Sequence, residues 1–192
     1  MRRMFDDEGI LFFSRWISSP LNIGAVFPSG DALAHLMAAQ VDLDRPGIVV
    51  ELGGGTGAIT AALLEVGVAP ERLVVIDQDE RLYRSLAARF PDVTVFLGDA
   101  ARRLSRFRLG RADPVGTVVS SLPLLSMSRQ RQRAILDQAF ACMAGDGTFI
   151  QFTYGPGHPV PAGRLARWGY RGRSAGTAWL NLPPATVWRI TR

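Results

Sequence analysis

Short apolar runs closed by an acidic residue or a serine recur along the chain after Asp44. Gly47–Leu52 (GIVVEL), Arg72–Asp77 (RLVVID), Asp92–Leu97 (DVTVFL) and Val115–Ser121 (VGTVVSS) are rich in valine and isoleucine, as strands buried on both faces are. Helical spacing fills the intervals Gly57–Gly67, Asp79–Phe90 and, briefly, Ala100–Ser105. A further helix, Ser128–Met143, leads into a fifth strand, Gly147–Tyr154. Alternating strands and helices predict a doubly wound, mostly parallel α/β sheet covered on both faces. The tail reads differently. Gly169–Leu182 and Ala185–Ile190 look like two strands joined at Pro183–Pro184, a closing hairpin that completes seven strands and gives the sheet an antiparallel edge. Asp31 is expected to cap a leading helix that runs to Gln40. Ahead of it, Phe5, Phe12 and Trp16 share one helical stripe, widened by Leu11, Phe13 and Ile17, which predicts an N-terminal amphipathic helix.

The 192 residues fit one domain, with residues 1–20 as a membrane-contact or lid helix and 21–192 as the catalytic core. No run is long enough to span a bilayer, and acidic residues ahead of the first apolar run argue against a signal peptide. A single cysteine, Cys142, excludes an internal disulfide, fits a reducing, cytoplasmic compartment and reads as a core thiol. The net charge of +5 comes from arginine, because the chain has no lysine; lysine-based covalent chemistry is excluded. Arginine suits phosphate, whether on nucleic acid or on an anionic membrane surface. Arg102, Arg103, Arg106, Arg108 and Arg111 surround Phe107, and Arg129, Arg131 and Arg133 open the next helix. These arginines do not by themselves choose between the two partners.

The stretch VVELGGGTGAIT sets Gly53, Gly54, Gly55 and Gly57 between a buried strand and a helix, where a ligand can lie against bare backbone. Glycine-rich turns of this kind also serve dinucleotides. Here Glu51 precedes the loop, the spacing is G-x-G-x-G, and Asp77 ends the second strand where a carboxylate would accept ribose hydroxyls, with Gln78 beside it. Asp99 and Ala100, after the third strand, suit an adenine amino group. This order, from about Ala25 to Tyr154, resembles the Rossmann-like class I methyltransferases that use S-adenosylmethionine and release S-adenosylhomocysteine. The resemblance implies a cofactor site of Glu51, Gly53, Gly54, Gly55, Gly57, Asp77, Gln78, Asp99, Ala100 and Ser120, and no metal. Ser29, in VFPSG, would meet the cofactor carboxylate at a helix N-terminus or simply cap the helix.

The stretch VVSSLPLLSM bears on the substrate. It is similar to the loop of ribosomal RNA adenine dimethylases, which reads Asn-Leu-Pro-Tyr, but Ser121 stands in the Asn position and Leu124 in the Tyr position. The amide acceptor and the base-stacking ring are both missing, and Leu122 and Leu124 are expected to meet something aliphatic. With the predicted last strand at the end of the sequence, the extra helical RNA-binding domain of those enzymes is not expected.

Taken together, GAVFPSG, SSLPLLSM, QFTYGP and AWLNLPPATVW resemble the soluble, peripheral bacterial phospholipid N-methyltransferases over nearly the whole chain. That resemblance implies stepwise methylation of phosphatidylethanolamine toward phosphatidylcholine by a monomer on the inner face of the cell membrane. Phe5, Phe12, Trp16, Arg102, Arg103, Arg106 and Arg108 would contact the membrane, and no nucleic acid would bind. An RNA adenine methyltransferase is the alternative, and a cofactor-binding membrane adaptor without turnover a third reading. Tyr154 is expected to orient the amine and face the cationic product, or only to pack at the rim. Acceptors for the amine proton are His158, a backbone carbonyl near Ser120, the Ser121 hydroxyl or the lipid phosphate. His35 reads as an ordinary helix residue.

Overall fold

The computed structural model describes residues 28–107, 114–181 and 183–192, apart from the side chains of residues 28, 29, 105–107 and 144. Its strands are β1 (Ile48–Leu52), β2 (Leu73–Asp77), β3 (Thr94–Leu97), β4 (Val115–Ser120), β5 (Met143–Tyr154), β6 (Arg171–Ala178) and β7 (Ala185–Thr191). They form one seven-stranded sheet in the order β3-β2-β1-β4-β5-β7-β6. The pairs among β1 to β5 are all parallel, and β7 runs antiparallel to both β5 and β6. The expected hairpin is therefore present, with β7 inserted between β5 and the outermost strand.

Helices α1 (Pro28–Ala38), α2 (Ala58–Glu65) and α3 (Glu80–Arg89) pack on one face. Helices α4 (Ala100–Phe107), α5 (Arg129–Cys142) and α6 (Ala162–Arg167) pack on the other. The two cores alternate along each strand: Val50, Leu52, Val118 and Phe149 join the α4–α6 side, and Val49, Val75, Val119 and Ile150 the α1–α3 side. Strands buried this completely leave only their ends for chemistry. The carboxyl ends of β1, β2, β4 and β5 share one edge, with Ser120 in register between Leu52 and Gln151.

Local signals explain most boundaries. Asp79 caps α3, its Oδ1 accepting from the backbone N–H groups of Arg81 and Leu82 at 2.8 and 3.2 Å. Ser128 caps α5 by accepting from Arg131 N–H at 3.3 Å. Asp31 is no cap: α1 already starts at Pro28, which suits a first helical turn, and it ends at Ala38 rather than Gln40. Strand β5 follows α5 directly, four residues earlier than the sequence suggests. Cys142 is a half-buried thiol donating to the Ala139 carbonyl at 3.1 Å. Phe5, Phe12, Trp16, Arg108 and Arg111 lie outside the described residues, as do the side chains of Ser29 and Arg106. Among the described residues no helix is long and apolar enough to cross a membrane.

Candidate active site

The loop after β1 is shaped by backbone that L side chains rarely adopt. Gly53 and Gly55 have φ of 78° and 55°. A Cβ at Gly53 would press on Leu122 Cδ2 at 3.3 Å, whereas one at Gly55 would meet nothing within 4 Å. The loop therefore packs against the β4 side at one glycine and faces open space at another. Asp77 holds this shape from β2. Its Oδ2 accepts from Gly55 N–H and its Oδ1 from Asp79 N–H, both at 2.9 Å. Each carboxylate oxygen retains a lone pair for a ligand hydroxyl. Gln78 beside it is exposed.

Glu51 is fully buried at the end of β1. Thr60, on the inner face of α2, donates to its Oε2 at 2.7 Å, and its Oε1 has no partner. Burial raises the carboxyl to about 8, against the Thr60 hydrogen bond and with help from the nearby Asp77 charge. A buried acid with an idle oxygen beside an open glycine loop fits a ligand that brings positive charge, as the ammonium and sulfonium of S-adenosylmethionine do. The residues present thus suit the cofactor implied by the sequence.

Asp99 is more committed than expected. It bonds Arg131 and accepts from Arg102 N–H at 3.2 Å at the start of α4. Burial alone would raise its carboxyl, but these bonds and the Arg131 charge carry it below the usual range. An adenine amino group would share an oxygen that already holds a guanidinium. Ala100 next to it is buried.

The loop after β4 is held by two glutamines that the sequence reading passed over. Gln151 of β5 is buried and donates through Nε2 to the carbonyl of Leu122 at 3.0 Å. Gln132 of α5 donates to those of Leu124 and Met127 at 2.7 and 3.3 Å. Gln132 was findable, because it shares the helical stripe of Ile135, Leu136 and Ala139. Nothing in a run of strand residues distinguishes Gln151. Ser120 is buried, its Oγ accepting from Leu122 N–H at 3.3 Å, and Ser121 stands beside Gly53. Leu124 corrects the expectation that it meets substrate. It is 1% exposed in the core, because a short 3-10 turn at Leu124–Ser126 rotates it inward and turns Leu125 out.

Tyr154 reaches the same edge from β5. Strand rise puts it about 10 Å beyond the Ser120–Gln151 level. Its ring stands edge-on to Phe152 at 5.5 Å. Burial raises its phenol above the ordinary value, opposed by a hydrogen bond with Asn181. Tyr154 is therefore neutral at physiological pH and serves as an orienting group. Asn181, from the β6–β7 connection, is itself buried, donates to Pro183 O at 2.9 Å, and was legible only as part of LNLPPA.

His158 does not join this group. Its ring lies 4.3 Å from that of Trp188 and directly over Gly172, where a Cβ would collide with Nε2 at 2.0 Å. Burial lowers its pKa, partly offset by contacts with the backbone of Val160 and Gly172. The Arg103 guanidinium bonds the Leu97 carbonyl and lies 5.7 Å from the Phe96 ring, just ahead of the turn at Gly98. Arg102 is exposed on α4. His35 bonds Glu65 at 2.8 Å on the helical surface, as an ordinary helix residue would.

No family model matches the chain. It is 29% identical over 153 residues to an ornithine lipid N-methyltransferase of Singulisphaera acidiphila, covering 76% of this chain and 78% of that one. A ribosomal RNA small subunit methyltransferase A of Maridesulfovibrio salexigens is 30% identical over 81 residues, which is 42% of this chain and 30% of that one. Among solved structures, the 1,6-didemethyltoxoflavin-N1-methyltransferase of Burkholderia thailandensis superposes with a TM-score of 0.66 at 16% identity, over 100% of this chain and 92% of that one. The glycopeptide N-methyltransferase MtfA gives a TM-score of 0.63 at 13% identity, over 86% and 91%. The fold is the Rossmann-like fold of the class I methyltransferases.

Proposed function

We propose that this chain is an S-adenosylmethionine-dependent N-methyltransferase acting on the primary amine of a lipid headgroup at a membrane surface. The observation that carries the reading is the β4 loop: a base-binding site needs a stacking ring there, and Ser120–Met127 offers serine, proline, leucine and methionine. The lipid-modifying relative supports it, because its similarity extends over 153 residues against 81 for the Maridesulfovibrio RNA-modifying one. Two headgroups share the required amine: phosphatidylethanolamine, which the sequence motifs favour, and an ornithine lipid, on which the Singulisphaera relative is named as acting.

When bound, S-adenosylmethionine supplies an electrophilic methyl group on a sulfonium that leaves as a neutral thioether. The chain's own residues bind and align. Glu51, a protonated acid in the folded chain at neutral pH, would ionise against the cationic end, Gly55 gives clearance, and Asp77 faces the ribose with Gln78 at its side. Gln132 and Gln151 fix the β4 loop, so that Ser121 accepts an amine N–H beside Gly53. Alignment of two bound reactants supplies most of the acceleration in such a displacement. The amine must lose its proton first. On this reading the proton passes to solvent water while the Ser121 hydroxyl and the lipid phosphate hold the N–H groups by hydrogen bonds. His158 takes no part. The protein works as a monomer on the cytoplasmic face of the bacterial membrane.

The test is release of S-adenosylhomocysteine by the purified chain with phosphatidylethanolamine vesicles, ornithine lipid vesicles or ribosomal RNA. The expected result is release with one or both amino lipids. Release with RNA alone would overturn the reading.

A further inference from the structure

The connection between β6 and β7 turns its largest apolar side chains to solvent. Trp179 is 78% and Leu180 85% exposed, while the next residue, Asn181, is buried. The turn is built to hold this arrangement. Asn181 N–H donates to Ala178 O at 3.2 Å, its side chain donates to Pro183 O, and Gly155 N–H donates to Pro184 O at 2.7 Å. Asn181 also bonds Tyr154. An anchored turn presents Trp179 and Leu180 at little further ordering cost.

Topology fixes where the tip points. Strand β6 is antiparallel to β7, and β7 to β5, so β6 runs with the parallel strands. Its carboxyl end lies on the edge that carries Gly53, Ser121 and Tyr154. Leu125, 47% exposed in the β4 loop, is on that edge as well. Leu43, the other large apolar side chain exposed among the described residues, precedes β1 and lies at the opposite edge.

Charge on the same side is basic. Helix α5 begins at this edge with Arg129, and a groove of about 270 Å³ between α5 and α6 is lined by Arg129, Arg133, Arg164, Arg167 and Trp168, with Gln130. Arg133 bonds Asp137 at 3.2 Å and Arg164 bonds Gln132 at 3.0 Å. Arg129 and Arg167 form no salt bridge among the described residues. Helix α6 leads down to the amino end of β6, so of these arginines it is Arg129 that shares the edge with the exposed Trp–Leu pair. A guanidinium and apolar side chains on one edge match a bilayer interface, where phosphates lie next to acyl chains.

We infer that the carboxyl edge of the sheet is the membrane-docking face, with Trp179 and Leu180 entering the interface of an anionic bilayer and Arg129, at the start of α5, binding its phosphates. The inference rests on the lipid reading above. It moves the contact from the arginines of α4 to the mouth of the site, so that a headgroup amine reaches Ser121 without leaving the membrane.

Vesicle sedimentation of the full chain tests this, using phosphatidylcholine vesicles with and without phosphatidylglycerol. Trp179→Ala/Leu180→Ala is expected to weaken partition to the mixed vesicles by roughly tenfold or more, given the apolar area these side chains bury. Arg129→Gln is expected to reduce the preference for phosphatidylglycerol and to lessen the salt dependence. Unchanged partition of Trp179→Ala/Leu180→Ala overturns the inference. So does a concentration-dependent dimer that this variant dissociates, because a second copy then covers the tip. A marked loss of thermal stability without vesicles overturns it too, because residues 1–27 then cover the tip. Binding requires no methyl transfer, so the two readings fail separately. Vesicle binding lost in the variant with no lipid methylated by the wild type supports the docking face and removes only the substrate. Turnover and binding on vesicles that the variant leaves unchanged remove only the docking face.

Discussion

The two halves of the sheet's carboxyl edge are built on different principles. On the β1–β2 side, backbone shape and carboxylates make the site: Gly53 and Gly55 in left-handed conformations, Asp77 bracing the loop, and Glu51 buried beneath it. On the β4–β7 side, side chains from distant elements set the positions: Gln132 from α5 and Gln151 from β5 hold the β4 loop, and Asn181 from the β6–β7 connection bonds Tyr154. Under the proposed function the first half would hold the cofactor and the second half the amine to be methylated.

The largest effect expected from this division concerns Glu51. An ordinary glutamate titrates near 4.5, and in the folded protein Glu51 is held up to about 8 by burial. Between these values the folded chain keeps a proton that the unfolded chain releases. Stability from this group is therefore full below the unfolded pKa and declines as pH rises toward 8, on the order of 4 kcal/mol over that span. Urea unfolding across pH should show wild type losing stability relative to Glu51→Gln as pH rises. Parallel pH profiles would contradict the assignment. Next in size, Asp77→Ala removes the acceptor of the Gly55 and Asp79 N–H groups and should weaken S-adenosylmethionine binding on the order of a hundredfold in calorimetry. Unchanged affinity would refute its role.

A smaller effect separates the halves most cleanly. Gln151→Leu frees the Leu122 carbonyl, costing about 1–3 kcal/mol of stability. It should lower turnover by about tenfold while cofactor affinity holds within about twofold, since a displaced loop spoils alignment and leaves the glycine loop intact. Equal losses in both would mean that the two halves are one unit.

The halves also differ in how far the sequence reveals them. Gly53, Gly55, Glu51 and Asp77 are readable because a strand–glycine–helix junction allows few backbone solutions, and the first five strands follow from their apolar runs. Leu124 and His158 were misjudged for a common reason: side-chain direction in a loop depends on turns that composition does not fix. A 3-10 turn sends Leu124 into the core, and the chain after Tyr154 folds His158 back over Gly172. Asp99 looked available because its partner, Arg131, lies 32 residues away on another helix. Gln151 and Asn181 matter through partners that only the folded sheet brings near.

The account stands on the identity of the methylated amine. The most direct measurement is mass spectrometry of the lipid and RNA fractions after incubating the protein with S-adenosylmethionine, mixed amino-lipid vesicles and ribosomal RNA together. The account predicts mass steps of one methyl group on phosphatidylethanolamine or ornithine lipid, with RNA unchanged. Methylated adenine in the RNA beside unmodified lipid would contradict it.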